Sequence, residues 1–600
     1  MSVSMTPLSV RFGLKHILGQ ASSAEMGGDY DGALSSYRAA ASQFQQSAQA
    51  HLAIVRVLIR LGRREEALES CLNAERLLKT NCDVQRSLFL LYCQFGRLNN
   101  AFDCLVCLNN WGEDVAEELA HIGLRFAQNG DWSRRQELNL LLENRLRSKK
   151  GCILDPYYLL SVSDDTELHR IMADSIVAAI SRQWLGIREQ AKKTVEDPSS
   201  RRLRIGYLGG DFNSHATSLL LTNVLECHNR RNVEVIGYDY SHEDGSAIRK
   251  RMLRAFDRVV TVGAGDPRRD ALNIARDSVD ILVDTKGYTR ASKSELLAFR
   301  PAPVQVNFLG YVGTQGAPWI DYVIADERVA PLSEASNWAE KFAYMPSSYY
   351  PNSRERPIPA SRTASGRLEY GLPNDCFVYG CFNGSYKVTP TLFDSWIDIL
   401  TRVPQSVLWL FEENSSVAAN FRMVASKRGL NSDRLIFARP MEFCAHMMRY
   451  AYMDLFLDTT PYGAHTTAAD ALWAGVPIVT LQGQSFASRV GASLLTAVGL
   501  DELICKTAIE YVELAVSLAD CPERLGQYKA TLNDARDQST LFDSPQFADN
   551  LESLYRTMAE RNFLGLKPDH IFATPSSPRH HQRFGISPNV PAECQKFGLP

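Results

Sequence analysis

The chain has 600 residues, of which 45% are hydrophobic and 22% charged, with a formal net charge of −3. That length exceeds a single hydrophobic core and implies about two to four domains of ordinary soluble composition, while the near-neutral charge excludes bulk nucleic-acid binding, which needs a basic surface. The 13 cysteines are scattered, mostly within apolar runs, and read as reduced thiols rather than a disulfide framework; no stretch is apolar enough for a signal peptide or a membrane span, so a cytoplasmic location is expected.

Residues 1–20 read as a short N-terminal segment, with a repeat beyond it. Gly28, Gly62, Gly96 and Gly130 recur every 34 residues, and Ala33, Ala67 and Ala101 follow the first three glycines. Each unit reads as a helix, a Gly turn and a second helix: Gly permits the turn, and the small Ala lets the helices approach. Over residues 21–150 this period predicts an α-helical, tetratricopeptide-like solenoid whose concave groove binds protein substrates. Arg135 stands where Ala is expected in the fourth unit, which is therefore a degenerate or capping copy. The one CxxC, Cys104 to Cys107, falls in a helical register and reads as core.

Residues 151–200 predict a helical connector. From Arg201 short apolar runs alternate with helical stretches, giving strands at Leu203–Leu208, Val233–Tyr238, Ile281–Asp284, Val304–Leu309 and Tyr322–Ile324. After a Pro- and Ser-rich link, Tyr349–Gly366, come Val378–Phe382, Val407–Phe411, Leu435–Ala438, Leu455–Leu457 and Ile478–Leu481. Strands separated by helices imply parallel sheets, so two doubly wound α/β lobes are expected, at 201–360 and 361–573. Ligands in such folds bind at the carboxyl ends of the strands, here in a cleft between lobes. The polar tail 574–600 lacks apolar periodicity and is expected to be mobile.

The segment from Pro461 to Thr480 carries the strongest chemical signal. After the apolar run Leu455–Leu457 the chain turns at Gly463 into His465, Thr466 and Thr467, a helix start. A helix N-terminus presents free N–H groups and partial positive charge, which suit a phosphate. Two hydroxyls and an imidazole add side-chain donors, and Asp470, four residues beyond Thr466, can accept from a ribose diol. The pattern is a nucleoside-diphosphate site without a P-loop.

Four further clusters follow strand ends. Asp211 and His215 put a carboxylate and an imidazole four residues apart beside a helix start, and either suits a general base or an anchor for an acceptor hydroxyl. Lys286 to Arg290, with Tyr288, follows Ile281–Asp284. The run Leu309 to Gly316, with Gly310 and Thr314, lets backbone amides approach a sugar or phosphate. Asn383 to Lys387 opens the second lobe, where Lys387 can neutralise charge on a diphosphate leaving group. The one Asp-x-Asp, Asp29 to Asp31, lies in the repeats, so no metal site is expected and the electrostatic work falls to Lys387 and the His465 helix start.

Together these motifs resemble the catalytic region of the protein O-linked N-acetylglucosamine transferases, glycosyltransferase family 41. The matching stretches are Asp-Phe-x-x-His-x-Thr-Ser at 211–218, Gly-Tyr-Thr at 287–289, Arg-Pro-Ala-Pro at 300–303, Leu-Gly-Tyr-x-Gly-Thr at 309–314, Phe-Asn-x-x-Tyr-Lys at 382–387, and His-Thr-Thr with Asp470. The resemblance runs from about Gly28 to Pro568 and implies tetratricopeptide repeats followed by a two-lobed GT-B fold. It implies inverting transfer of N-acetylglucosamine from UDP-N-acetylglucosamine to Ser or Thr of proteins, with no metal or other cofactor. On that pattern Lys387 and the Thr466 and Thr467 amides hold the diphosphate, Asp470 binds ribose, and His446 and Arg449 lie near the nucleotide. Tyr288, Gly310 and Thr314 join the donor site; His215 orients sugar and acceptor, and Asp211 takes the proton.

Two departures touch donor recognition: Gly384 replaces a frequent amide side chain, and Phe443 stands where eukaryotic members usually carry lysine near the uracil. The short array points to a bacterial-type member. The alternatives are a SPINDLY-like protein O-fucosyltransferase using GDP-fucose, an enzyme glucosylating Asn, and a repeat scaffold with an inactive transferase domain. His465 and Tyr288 favour the N-acetylglucosamine type, and His215, Lys387, His465 and Asp470 together disfavour the scaffold.

Overall fold

A computed structural model describes residues 7–78, 80–148, 156–184, 196–263, 265–359 and 364–574. Outside the described residues lie the tail beyond residue 574, the first six residues, and parts of the expected connector. The chain divides into two compact units, Met1–Phe126 with Arg134–Leu142, and Ala127–Ser133 with Glu143–Pro600.

The first unit is helical: Pro7–Met26, Tyr30–Gln43, Ala48–Arg60, Arg64–Leu77, Cys82–Gln94 and Leu98–Asn110, then Ala116–Gln128 and Arg135–Arg147, which straddle its edge. The repeat glycines occupy the turns between paired helices, where Gly28, Gly62 and Gly96 have φ of 84°, 74° and 68°. That left-handed region is one a Cβ disfavours. Ala33, Ala67 and Ala101 are fully buried, consistent with close helix approach. The first helix starts at Pro7, so the boundary expected at residue 20 falls inside a helix.

In the second unit, helices Pro156–Val162 and Thr166–Trp184 precede two parallel sheets. The first sheet contains β1 (Leu203–Gly209), β2 (Val233–Asp239), β3 (Arg258–Thr261), β4 (Ile281–Asp284), β5 (Val304–Asn307), β6 (Tyr322–Ala325) and β7 (Lys341–Tyr344). The second contains β8 (Phe377–Cys381), β9 (Ser406–Phe411), β10 (Leu435–Ala438), β11 (Leu455–Leu457), β12 (Ile478–Leu481) and β13 (Ile504–Cys505). A last strand, β14 (Ile571–Phe572), joins the first sheet beside β7, giving the order β14-β7-β6-β5-β4-β1-β2-β3; the second sheet runs β10-β9-β8-β11-β12-β13. All pairings are parallel, so helices must cover both faces, and each strand order reverses once. The reversals fall between β1 and β4 in one sheet and between β8 and β11 in the other.

One lobe boundary differs from expectation. Helix Ser544–Phe563 and β14 return to the first lobe: Glu552 accepts from the Asn229 N–H at 2.7 Å, and Tyr555 Oη lies 3.2 Å from Tyr207 Oη. A chain-order division at 361–573 misses this crossing because β14 has only two residues. The link begins on anchored residues, since Tyr349, Tyr350, Asn352 and Ser353 are buried. Among the described residues ten cysteines are free, whereas Cys444 is disulfide-bonded, which corrects the wholly reduced reading at that position. Among the described residues no helix is long and apolar enough to cross a membrane.

The segment Ala127–Ser133 packs on the second sheet's outer helices. Trp132 stacks on Phe421 at 5.2 Å and meets Phe393 edge-on at 5.3 Å. The Gln128 carbonyl accepts from Ser385 Oγ at 2.9 Å, and the Asn129 carbonyl accepts from Asn420 Nδ2 at 2.9 Å. Gly130, at φ 64°, lies so close that a Cβ would come within 2.5 Å of the Phe421 ring. Phe421→Ala should destabilise this unit by about 3–5 kcal/mol, as for emptying other buried Phe sites, and so lower its urea midpoint. An unchanged midpoint would mean that the segment is not docked in solution.

Candidate active site

Both strand-order reversals carry chemistry at their carboxyl ends, where doubly wound sheets open a crevice. At the first, Asp211 follows β1 and Lys286 follows β4, and Lys286 Nζ contacts Asp211 Oδ1 at 2.6 Å. His215 caps the helix Ala216–Cys227: its Nδ1 accepts the Thr217 N–H at 3.2 Å. A backbone N–H can only donate, so the neutral ring carries its proton on Nε2 and offers a donor there. Asp211 Oδ2 is 3.8 Å from Nδ1, and the imidazole side chain is about half exposed (49%). Burial of its inner face holds the His215 pKa below the ordinary value; Asp211 opposes this and Lys286 adds to it.

Of three expected donor-site residues that follow these strands, Tyr288 and Thr314 are buried and Gly310 is partly exposed. Tyr288 is buried and gives its hydroxyl proton to the Gln315 carbonyl at 2.8 Å. Thr314 is buried and donates to Glu340 at 2.6 Å. A Cβ on Gly310 would collide with the Thr285 carbonyl, so this glycine lets its loop lie against the end of β4.

At the second reversal, Lys387 ends the turn Ser385–Lys387 after β8. Its Nζ donates to the Gly463 carbonyl at 2.8 Å and stands 3.9 Å from the centroid of the Tyr462 ring. Among the described residues it forms no ion pair with a carboxylate. Burial pushes its pKa down to about 8, against the attraction of Asp458. Asp458, just after β11, is buried and organises the following loop. Its Oδ1 accepts the N–H of Thr459 at 2.7 Å and of Ala464 at 2.6 Å, and its Oδ2 accepts from Thr480 at 2.7 Å. Burial raises its pKa to about 6 despite these bonds.

The His465-Thr466-Thr467 start behaves differently from its side-chain inventory. His465 Nε2 lies 3.2 Å from the Ala487 carbonyl, so it carries the proton and spends it there. Burial and Lys387 hold this ring well below its usual pKa, and it stays neutral. The Thr466 hydroxyl pairs with Tyr350 at 2.7 Å, and Thr467 donates to Asn383 Oδ1. The His465 side chain does not cap the helix Thr466–Trp473. What this end offers a ligand is therefore its first-turn backbone N–H groups, not its side chains.

Deeper in, Asp470 faces Arg356 at 2.8 Å, both side chains 5% exposed. Burial raises the Asp470 pKa while Arg356 opposes it. On helix Phe443–Arg449, Arg449 is buried with its guanidinium 4.3 Å from the Phe382 ring centroid; Nη1 donates to the Arg439 carbonyl at 2.7 Å, but Nε and Nη2 have no acceptor. Burial pushes Arg449 down to about 10, and His446, packed on Phe382, to about 3. The two histidines are thus neutral, Arg356 faces Asp470 and Asp458 attracts Lys387, while Arg449 forms no ion pair with a carboxylate among the described residues. Such a set stabilises an arriving anion.

Lys286, Arg356, Asn383, Asp458 and Tyr462 are the participants that motif reading left without a role. Asp458 carried a signal, as the first polar residue after a fully apolar strand; Arg356, in a Pro-rich link, carried none. Among the described residues no group of three His, Cys, Asp or Glu side chains is placed to hold a metal.

Comparison with known proteins accords with this architecture. Residues 186–356 and 352–551 match the glycosyl transferase family 41 profile, and 26–72 match a tetratricopeptide repeat. The chain belongs to glycosyltransferase family 41. It is 37% identical over 375 residues to the probable UDP-N-acetylglucosamine–peptide N-acetylglucosaminyltransferase SEC of Arabidopsis thaliana, covering 62% of this chain and 38% of that protein. It is 30% identical over 490 residues to the Caenorhabditis elegans UDP-N-acetylglucosamine–peptide N-acetylglucosaminyltransferase (63% and 43% covered). To the probable transferase SPINDLY of Petunia hybrida it is 34% identical over 384 residues (61% and 39%). The chain thus spans about two fifths of the length of these relatives. A mutant O-GlcNAc transferase of Thermobaculum terrenum shares the fold: TM-score 0.65 at 24% identity, covering 94% of this chain and 100% of that one.

The Asp458 loop supplies a direct check on this geometry. Asp458→Ala strands two N–H groups and one hydroxyl in a buried site, at a cost of about 3 kcal/mol or more, whereas Asp458→Asn keeps an oxygen for both N–H groups. Gly491→Ala, whose Cβ would lie 2.5 Å from Asp458 Oδ2 and 2.8 Å from Thr480 Oγ1, should resemble the Ala variant in a thermal melt. Equal melting of Asp458→Ala and Asp458→Asn would show that the loop does not depend on these bonds.

Proposed function

We propose that the protein transfers N-acetylglucosamine from UDP-N-acetylglucosamine to Ser or Thr hydroxyls of proteins held by its helical repeats, in a cytoplasmic setting, with inversion and without a metal. The observation that carries this reading is Lys387: a buried ammonium that forms no ion pair with a carboxylate among the described residues, beside an uncapped helix N-terminus. The names of the relatives, which specify UDP-N-acetylglucosamine and peptide, support the choice of donor and acceptor.

In the reaction, the acceptor oxygen bonds to the anomeric carbon while that carbon's bond to the β-phosphate oxygen breaks. The electron pair leaves with the diphosphate, so negative charge grows on the phosphate and positive charge on the sugar. Lys387 and the backbone N–H groups of Thr466 and Thr467 meet the departing charge without reorganising. His215 offers Nε2–H as a donor that orients sugar or acceptor, while its Nδ1 is already held by Thr217. Asp211 accepts from Lys286 and would receive the proton only late, once the attacking hydroxyl has become acidic.

Lys387→Ala should lower transfer by about two to three orders of magnitude or more while the fold persists. The assay is mass spectrometry of lysate proteins incubated with UDP-N-acetylglucosamine, UDP-glucose or GDP-fucose. An increment of one N-acetylhexosamine on Ser or Thr, lost in Lys387→Ala, is expected; a hexose or fucose increment would replace the donor, and near-normal transfer by the variant would remove Lys387 from the mechanism. The pH profile adds a second check. Lys387 is charged below about pH 8 and neutral above it, so kcat/KM should fall by about tenfold per unit above that point. A bound diphosphate restores the ammonium, so the same limb in kcat should move to higher pH.

A further inference from the structure

The strap from Tyr349 to Pro359, which joins the two lobes, meets one face of helix Thr466–Trp473 at three successive places. Tyr350 Oη lies 2.7 Å from Thr466 Oγ1, Arg356 Nη2 lies 2.8 Å from Asp470 Oδ1, and Trp473 Nε1 donates to the Pro357 carbonyl at 3.1 Å. Positions separated by four and then three residues share a helix face, so the strap lies along the helix. Its other side is also anchored. Arg354 donates to the carbonyls of Arg536 at 3.0 Å and Asp537 at 2.7 Å, and Ser544 Oγ donates to the Asn352 carbonyl at 2.8 Å. Arg356 is therefore held in place rather than left to wander.

Its guanidinium is nonetheless unsatisfied. The approach to Asp470 lacks hydrogen-bond alignment, and neither Nη1 nor Nη2 has an acceptor, although the side chain is only 5% exposed. A purely structural pair would use the planar fork bidentately, because buried donors left open are costly. Arg356 also stands 6.0 Å from the Phe443 ring centroid, and Phe443 shares its helix with His446 and Arg449. Tyr450 feels the charges of Asp470, Arg449 and Arg356 together, which places both guanidinium groups around one locality. The phosphate end of the site is already served by Lys387 and the first turn of the helix; Arg356 sits one turn farther on.

We propose that Arg356 is a donor-binding residue: in the free protein it holds Asp470, and its open N–H groups donate to an acceptor oxygen at the nucleoside end of a bound nucleoside diphosphate sugar, beside Phe443. The assignment rests on the reading above, in which Asp470 faces the ribose. It makes the inter-lobe strap part of the donor site and supplies a cation from outside the second lobe's own motifs.

The test uses the full chain with Arg356→Met and Arg356→Lys, titrated calorimetrically with UDP and UMP. Both variants should bind both ligands more weakly, Arg356→Met by about tenfold for one lost bond from a charged donor. The loss should be equal for UDP and UMP, whereas Lys387→Ala should weaken UDP more than UMP. A merely structural clamp would lower the melting temperature without moving either affinity, and that result would overturn the proposal. If Arg356→Met does not fold, Arg356→Lys decides alone, because it keeps a charge beside Asp470 while losing the second donor arm; wild-type affinity in that variant is then the overturning result. A wild-type chain that binds no UDP would instead overturn the underlying reading of the site.

Discussion

An excess of buried positive charge sets the terms for the second lobe. Lys387, Arg356 and Arg449 are all sheltered from water; among the described residues Asp470 opposes Arg356 and Asp458 attracts Lys387, while Arg449 forms no ion pair with a carboxylate. Sheltered charge is tolerated only when paired or hydrogen-bonded, and here several donors are open. The surroundings make the excess bearable without cancelling it: the Gly463 carbonyl and Tyr462 face touch Lys387, and the Phe382 face covers Arg449. The loop from Asp458 to His465 is built to the same end, since one carboxylate collects two N–H groups and a hydroxyl and so fixes the carbonyl that Lys387 uses. A site held in this state before its ligand arrives does not have to reorganise when charge moves during reaction.

The first lobe resolves the same problem differently. Asp211 and Lys286, at the ends of neighbouring strands, neutralise each other at 2.6 Å, so that crevice has no comparable excess. Its most available group is a half-exposed histidine whose free nitrogen carries a proton. The two strand-order reversals thus present unlike chemistry, an electrostatic seat on one sheet and a hydrogen-bonding edge on the other. That division matches a reaction in which one partner departs as an anion while the other is a neutral hydroxyl.

Strands with a continuous apolar run were legible in sequence, and so were the groups following them, because a polar residue after a buried strand has few places to go. β3, β7, β13 and β14 were not: β3 is an edge strand whose residues are largely exposed, and β13 and β14 have two residues each. The return of β14 to the first sheet is a long-range pairing that local periodicity cannot encode. Side-chain roles were less legible than positions. His465, Thr466, Tyr288 and Thr314 have the right chemistry in the right motif, yet each spends its proton or hydroxyl on the protein itself. Composition reveals which donors exist; only packing reveals which are already used.

Proton transfer shows why that distinction matters. A motif with carboxylate and imidazole four residues apart invites the assignment of a strong base, but the geometry removes both ordinary candidates. His215 Nδ1 is occupied by a backbone N–H that cannot be displaced without uncapping a helix, and Asp211 Oδ1 already accepts from the Lys286 ammonium at 2.6 Å. Neither group is arranged to pull a proton from a neutral alcohol early in the reaction. In the reaction proposed above, bond breaking at the diphosphate would therefore run ahead of proton loss, and a sugar carbon that has become cationic would acidify the hydroxyl attacking it. On that proposal the barrier would depend chiefly on how well the leaving charge is received, which returns the burden to Lys387 and the uncapped helix.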